Sequence, residues 1–294
     1  VGFSFAVIFL IFHFLSNRRL WHISIAILVI LSFGTATYIR NGTWQNSMAM
    51  WIDVASKSPK NPRAYNNIGV ALADQQEFTE ARKYYSHALH LKPDNAEAHN
   101  NIGNALMHTG RLKEAFEHFN EALHIAPSYA KAHNNLGNAF MYAGQFKEAI
   151  RHYSRALRIA PDYAKAFNNM GNALMRTGKL NESHDQYLKA LSVDPDYAEA
   201  HNNLGVILTR RRNYNKAVWH YSEALRIKPN FVEAHNNLGV VLENQGELKK
   251  AIDHYNEALR IKPEYGVSQK NLERALNKLK NQADGTEPRL KPNN

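Results

Sequence analysis

Six adjacent pairs of asparagine recur along this 294-residue chain at a fixed spacing of 34: Asn66–Asn67, Asn100–Asn101, Asn134–Asn135, Asn168–Asn169, Asn202–Asn203 and Asn236–Asn237. A carboxamide offers donor and acceptor together, so a row of them can hold the main chain of an extended peptide without strongly reading its side chains. One member of each pair can equally bond the adjacent repeat and fix stacking, because buried amides are ordinarily satisfied within a protein. The fifteen histidines invite metal chemistry. His99, His133, His201 and His235 share one register, and His118, His152, His220 and His254 share another. Equivalent positions on stacked helices lie about 8–10 Å apart, too far for one ion bound at about 2 Å. Neither row reads as a metal site. The chain has no cysteine, which removes disulfides, thiolate metal sites and cysteine nucleophiles. It also has no Walker loop, dinucleotide glycine pattern, G-x-S-x-G elbow or H-E-x-x-H, so no catalytic residue and no cofactor are expected.

The scaffold carrying the amides must share their period. Proline stands at Pro59, Pro93, Pro127, Pro161, Pro195, Pro229 and Pro263, and glycine at Gly69, Gly103, Gly137, Gly171, Gly205 and Gly239. Alanine follows at Ala88, Ala122, Ala156, Ala190, Ala224 and Ala258, and an aromatic at Tyr85, Phe119, Tyr153, Tyr187, Tyr221 and Tyr255. Asp94, Ser128, Asp162, Asp196 and Asn230 come directly after prolines and are expected to cap the next helix. Glycine inside a helix costs about 1 kcal/mol relative to alanine. The row of glycines therefore predicts a close helix crossing, with Ala81, Ala115, Ala149, Ala217 and Ala251 as small partners and Ser183 departing from the pattern. Gly110, Gly144, Gly178 and Gly246 are placed to end a helix in the left-handed conformation. Gln76 and Arg212 replace that glycine in two repeats, leaving those turns open to a different form.

Four coincident registers at this period resemble the tetratricopeptide repeat (TPR). The resemblance covers residues 62–265 as six full repeats. It implies an all-α fold, a right-handed superhelix of helix-turn-helix units with a concave groove. Residues 266–280 keep Asn271 and Leu272 in register but have Glu273 where glycine would be, and read as a solvating cap helix. Residues 40–61, with Trp51 at the aromatic register, resemble a lone second helix capping the first repeat. Residues 281–294 are polar and read as a disordered tail.

In TPR proteins the groove is lined by positions 2, 5, 6, 9, 12 and 13 of each first helix, here counted from Pro62, Ala96, Ala130, Ala164, Ala198 and Val232. Carried over, position 6 is Asn67, Asn101, Asn135, Asn169, Asn203 and Asn237. Position 9 is Asn104, Asn138 and Asn172 in the middle repeats and Val70, Val206 and Val240 elsewhere. This amide row is similar to the asparagine-lined groove of O-linked N-acetylglucosamine transferase. Met107, Met141 and Met175 at position 12 add adaptable contact. Lys131, Lys165, Arg176 and Arg210 add positive charge, opposed mainly by Glu199. The expected ligand is an extended polypeptide, acidic or rich in Ser and Thr. The carboxylate clamp of chaperone-binding TPR domains wants Lys at position 5 and Arg at position 6, and both are Asn here.

The start of the chain is different. Val1–Leu15 is apolar and too short to cross a hydrocarbon core of about 30 Å, so it reads as the end of a truncated transmembrane helix. Leu20–Ile39 has the length of a full span. Arg18 and Arg19 in the short loop 16–19 favour the cytoplasmic side and place the repeats outside the cytoplasm. Residues 1–39 are thus expected in the lipid bilayer. The net charge of +10 is spread through the repeats with no aromatic platform, and no nucleic-acid partner is expected.

This order, spans and then Arg40-Asn41…Trp44…Trp51…Pro59 running into TPRs, resembles the C-terminal part of the transmembrane-and-TPR glycosyltransferases of the GT-C class. The resemblance implies a lumenal or periplasmic TPR domain and a catalytic acid upstream of Val1. The expected function is a membrane-anchored, polypeptide-binding module that recruits acceptors to an O-mannosyltransferase-like enzyme. A non-enzymatic scaffold for envelope or secretion complexes is the first rival, and a cytoplasmic adaptor the second.

Overall fold

The computed structural model describes residues 47–283, and the expected spans 1–15 and 20–39 lie outside them. Fourteen helices and no strand occur among the described residues, and none of these helices is long and apolar enough to cross a membrane. The chain divides into two compact units between Gly110 and Arg111.

The first unit contains α1 (Ser47–Lys57), α2 (Pro62–Asp74), α3 (Phe78–Leu91) and α4 (Ala96–His108). Here α2 and α3 form a helix pair, flanked by α1 on one side and α4 on the other. Trp51 of α1 lies 5.9 Å beneath the guanidinium of Arg63 on α2.

The second unit begins with α5 (Leu112–Ile125). Four helix pairs follow: α6 (Ala130–Tyr142) with α7 (Phe146–Ile159), α8 (Ala164–Arg176) with α9 (Leu180–Val193), α10 (Ala198–Arg210) with α11 (Tyr214–Ile227), and α12 (Val232–Asn244) with α13 (Leu248–Ile261). The last helix, α14 (Gly266–Ala283), covers α13. Tyr187, Leu204, Ile207, Tyr221, Val241 and Tyr255 are essentially inaccessible and form one apolar cluster that ends on Ala275 of α14. Each such side chain contributes about 1.5–3 kcal/mol by leaving water.

The close crossing exists, but its main occupant is the aromatic rather than the alanine. A Cβ on Gly137 or Gly171 would come within 2.5 Å of the ring of Tyr153 or Tyr187. Ser183 keeps the fit at the exceptional position, where its hydroxyl donates to the Gly171 carbonyl at 2.7 Å.

Two expectations need correction. The N-caps lie one residue later than expected. Asn95 caps α4 by accepting from Ala98 N at 3.2 Å, whereas Tyr129, Tyr163, Tyr197 and Phe231 stand at the equivalent positions without a side-chain cap. At Phe231 aromatic packing replaces the cap bond: its ring is buried against Ala198, Ala224 and Ala234. The turns at Gln76 and Arg212 do not change form. Both residues take the left-handed conformation, φ 64° and 57°, which glycine provides at Gly110, Gly144, Gly178 and Gly246. The geometry of the pair overrides the local cost of about 1–2 kcal/mol for a residue with a Cβ.

Candidate functional site

The expected groove residues lie on the first helices. In the first unit Asn67 is on α2, and Asn101 and Asn104 are on α4. In the second unit Asn135 and Asn138 are on α6, Asn169 and Asn172 on α8, Asn203 on α10 and Asn237 on α12. All are half-buried, while the preceding asparagines Asn66, Asn100, Asn134, Asn168, Asn202 and Asn236 are buried.

The two rows bond each other. In the first unit Asn101 donates to Asn66 at 3.1 Å. In the second, Asn169 donates to Asn134 at 3.0 Å, Asn203 to Asn168 at 2.9 Å and Asn237 to Asn202 at 3.0 Å. Within a repeat the bond runs from position 5 to position 6: Asn134 to Asn135 at 3.3 Å, Asn202 to Asn203 at 3.4 Å. Asn101, Asn169, Asn203 and Asn237 therefore reach back to the repeat before them, which gives these amides a stacking role.

Position 9 explains the alternation of Asn and Val. The Asn138 carbonyl oxygen accepts from Tyr153 Oη at 2.8 Å and from Asn169 Nδ2 at 3.1 Å. Asn172 does the same for Tyr187 at 2.7 Å and Asn203 at 3.1 Å. Asn169 and Asn203 thus commit both amide hydrogens, and what they still offer a ligand is carbonyl lone pairs. Val206 cannot accept, so Asn237 donates once and keeps a second hydrogen for a ligand. Met141 and Met175 lean on the core clusters around Tyr153 and Tyr221, so only part of each thioether side chain faces outward.

The charged residues are less committed. Lys131, Lys165, Arg176 and Arg210 are exposed, and none is ion-paired with a described carboxylate. Glu199, expected to oppose them, is instead held by Lys228 at 3.1 Å. Arg176 lies 5.2 Å over the ring of Phe146. Lys131 and Lys165 start their helices, and Arg176 and Arg210 end theirs. The eleven-residue separation gives two cationic rows about 16 Å apart.

The histidine rows hold a feature that neither row shows alone. The two rows meet within a repeat. His133 and His152 face each other Nδ1 to Nδ1 at 3.2 Å, His201 and His220 at 3.0 Å, and His235 and His254 at 3.1 Å. The first member bonds a proline carbonyl through Nε2: Pro127, Pro195 and Pro229 respectively. That acceptor fixes a protonated Nε2, so the first Nδ1 accepts and the second donates. Burial first, and then the facing ring, hold His152 and His220 down at about 4, and lower His254 in the same way. A constant spacing of 19 between the two rows was the available signal. Among the described residues no three His or acidic groups converge as a metal site.

Known proteins resemble this chain at two levels. Models of the tetratricopeptide repeat match residues 37–94, 66–130 and 232–265, and a TPR repeat model matches 137–178, 171–211 and 207–246. Protein O-mannosyl-transferase TMTC3 from Homo sapiens and its Mus musculus counterpart are 29% identical over 65 residues, or 22% of this chain. The match spans only 7% of the length of either relative. Among solved structures, the APC/C hetero-tetramer Cut9–Hcn1 aligns with a TM-score of 0.73 at 18% identity, covering 80% of this chain and 46% of that one. Pseudomonas aeruginosa PilF aligns at 0.64 and 17% identity, covering 74% and 98%. At such identities the structures speak for the fold alone. With helix pairs, left-handed turns and aromatic-filled glycines all in one 34-residue register, the chain belongs to the tetratricopeptide repeat family.

Proposed function

We propose that this chain is a membrane-anchored TPR interaction module that holds an extended, acidic or Ser/Thr-rich polypeptide along its first-helix face, outside the cytoplasm. In the intact protein it presents acceptor segments to a membrane-embedded glycosyltransferase that transfers mannose to hydroxyls. The apolar runs before the repeats and the partial similarity to TMTC3 support the second statement.

The observation that carries the binding reading is the placement of Lys131 and Lys165. A cation in the first turn of a helix opposes the macrodipole. Repeats two, five and six accordingly have Glu97, Glu199 and Glu233 at that position. Two exposed lysines held against local preference, in no ion pair with a described carboxylate, serve a ligand better than they serve the helix. Recognition then divides into two parts: the amide carbonyls accept from ligand N–H groups, and the cationic rows draw the acidic side chains.

Anisotropy of a fluorescent acidic, Ser/Thr-rich peptide titrated with the 294-residue chain tests this. Binding is expected to weaken steeply as salt is raised from 50 to 500 mM; salt-independent binding contradicts the charge part. Protease protection of the repeats in sealed vesicles is the expected outcome for a non-cytoplasmic domain, and digestion contradicts it.

A further inference from the structure

A second site lies away from the first-helix face, at the edge where the loop after α5 meets α7. A cleft of about 530 Å³ opens there, lined among others by His124, Ser128, His133, His152, Arg155 and Arg158. Its charge is best understood from the same place two repeats later. There Arg226 is held from two sides, by Asp196 of the preceding loop at 2.7 Å and by Glu223 on its own helix at 2.8 Å. In the cleft the arginine is retained as Arg158, but the loop acid has become Ser128 and the helix acid has become Arg155. Both changes fall in the lining. The outcome is two exposed guanidinium groups one helical turn apart that make no ion pair with a described carboxylate. The rest of the wall offers no anion to neutralise them. His133 and His152 are bonded to each other, and His133 to Pro127 as well.

We propose that this cleft binds the carboxylates of an acidic segment of a partner protein, two side chains of which take the places that Asp196 and Glu223 fill two repeats later. The chain's own solution defines the chemistry: a carboxylate beside the Ser128 hydroxyl and a second one bridging Arg155 and Arg158, each accepting charge-assisted hydrogen bonds. Arginines at i and i+3 have Cβ atoms about 5–6 Å apart. At that separation one carboxylate can bridge both guanidinium groups, and a second acidic residue of the same segment supplies the carboxylate beside Ser128. The site is separate from the first-helix face and does not depend on the reading given for it.

The test uses the 294-residue chain and a fluorescein-labelled octapeptide of alternating Glu and Ser, with the Gln-for-Glu peptide as control. In Ser128→Asp/Arg155→Glu the cleft is filled by the chain's own acids, as it is two repeats later. This variant is expected to lose affinity for the Glu peptide about tenfold or more while keeping native helicity. Arg158→Gln, an exposed single change, is expected to lose affinity several-fold with no effect on folding. A parallel Lys131→Gln/Lys165→Gln variant reports the first-helix face alone. Equal binding of the Gln peptide overturns the proposal. So does undiminished binding by both cleft variants, or inorganic phosphate displacing the peptide at lower concentration than glutarate does.

Discussion

Position 12 of the first helix is methionine in the middle of the array and glutamate at its end, and the two serve different purposes. Met141 and Met175 lie half-buried beside the core and turn part of their surface to the groove. Glu243 is 5% exposed and belongs wholly to the protein. Arg274 of α14 grips both its oxygens at 2.8 Å, Lys278 donates at 2.9 Å, and Tyr255 donates from beneath at 2.9 Å. Asn271 and Ser268 of the same helix also bond Asn236, at 2.9 and 3.0 Å. One register can thus leave a repeat open to a ligand or close it under a cap, with the backbone unchanged. The middle repeats keep their uncommitted charge on the rim, and the end repeat uses its charge to fasten α14.

The largest effect that would sharpen this contrast comes from the amides. Asn169→Ala with Asn203→Ala leaves the buried oxygens of Asn134 and Asn168 without their donors. At about 1–3 kcal/mol for each unsatisfied group, stability should fall by about 4 kcal/mol. Urea unfolding followed by circular dichroism measures this; loss of peptide binding at native stability would break the account. Asn237→Ala, which removes a single donation, should cost less than either change.

The histidine pairs come next. His152 and His220 stay neutral in the fold down to about 4, against about 6.5 unfolded. The unfolded chain therefore takes up more protons between these values, so stability is complete above about 6.5 and declines as the pH falls towards 4. A loss of about 3 kcal/mol per pair is expected over that window. Melting temperatures across it should flatten in His152→Gln/His220→Gln, and an unchanged slope would show that other groups titrate.

Glu243→Gln separates the end from the middle. Burial alone would raise this carboxyl, but hydrogen bonds from Arg274, then Lys278 and Tyr255, outweigh it and hold the group near 2. Its contribution is present above the unfolded value of about 4.3 and is lost as the pH falls towards 2. Because Arg274 and Lys278 are nearly half exposed, the substitution should cost about 2 kcal/mol rather than the full value of a buried pair. Hydrogen exchange should quicken in α14 and leave α8 unchanged. The smallest effect is a gain: Gln76→Gly and Arg212→Gly relieve left-handed strain and should each stabilise by about 0.5–1 kcal/mol, read as a rise in melting temperature.

The sequence made the repeat legible because glycine, alanine, proline and the aromatic each mark one contact in every unit. It showed which side chains form the rows but not what the rows touch. The Asn169 partner is Asn134, one repeat and one residue away, an offset between registers that neither register shows alone. The histidine pairs escaped for the same reason. The cap positions lie one residue beyond the polar residues that follow the prolines, and at Phe231 the turn is closed by packing, which polar-residue patterns do not reveal. The cleft at Arg155 was illegible until Arg226 showed what normally occupies it.

In the proposed reading, amides join the repeats while rim charge holds the ligand. The direct measurement is calorimetric titration of an acidic, Ser/Thr-rich peptide into Lys131→Glu/Lys165→Glu/Arg176→Glu/Arg210→Glu, made in a Ser128→Asp/Arg155→Glu background so that the second cleft is silent. Binding seen in the background protein is expected to disappear on charge reversal while the melting temperature holds. Binding that survives the reversal would contradict it.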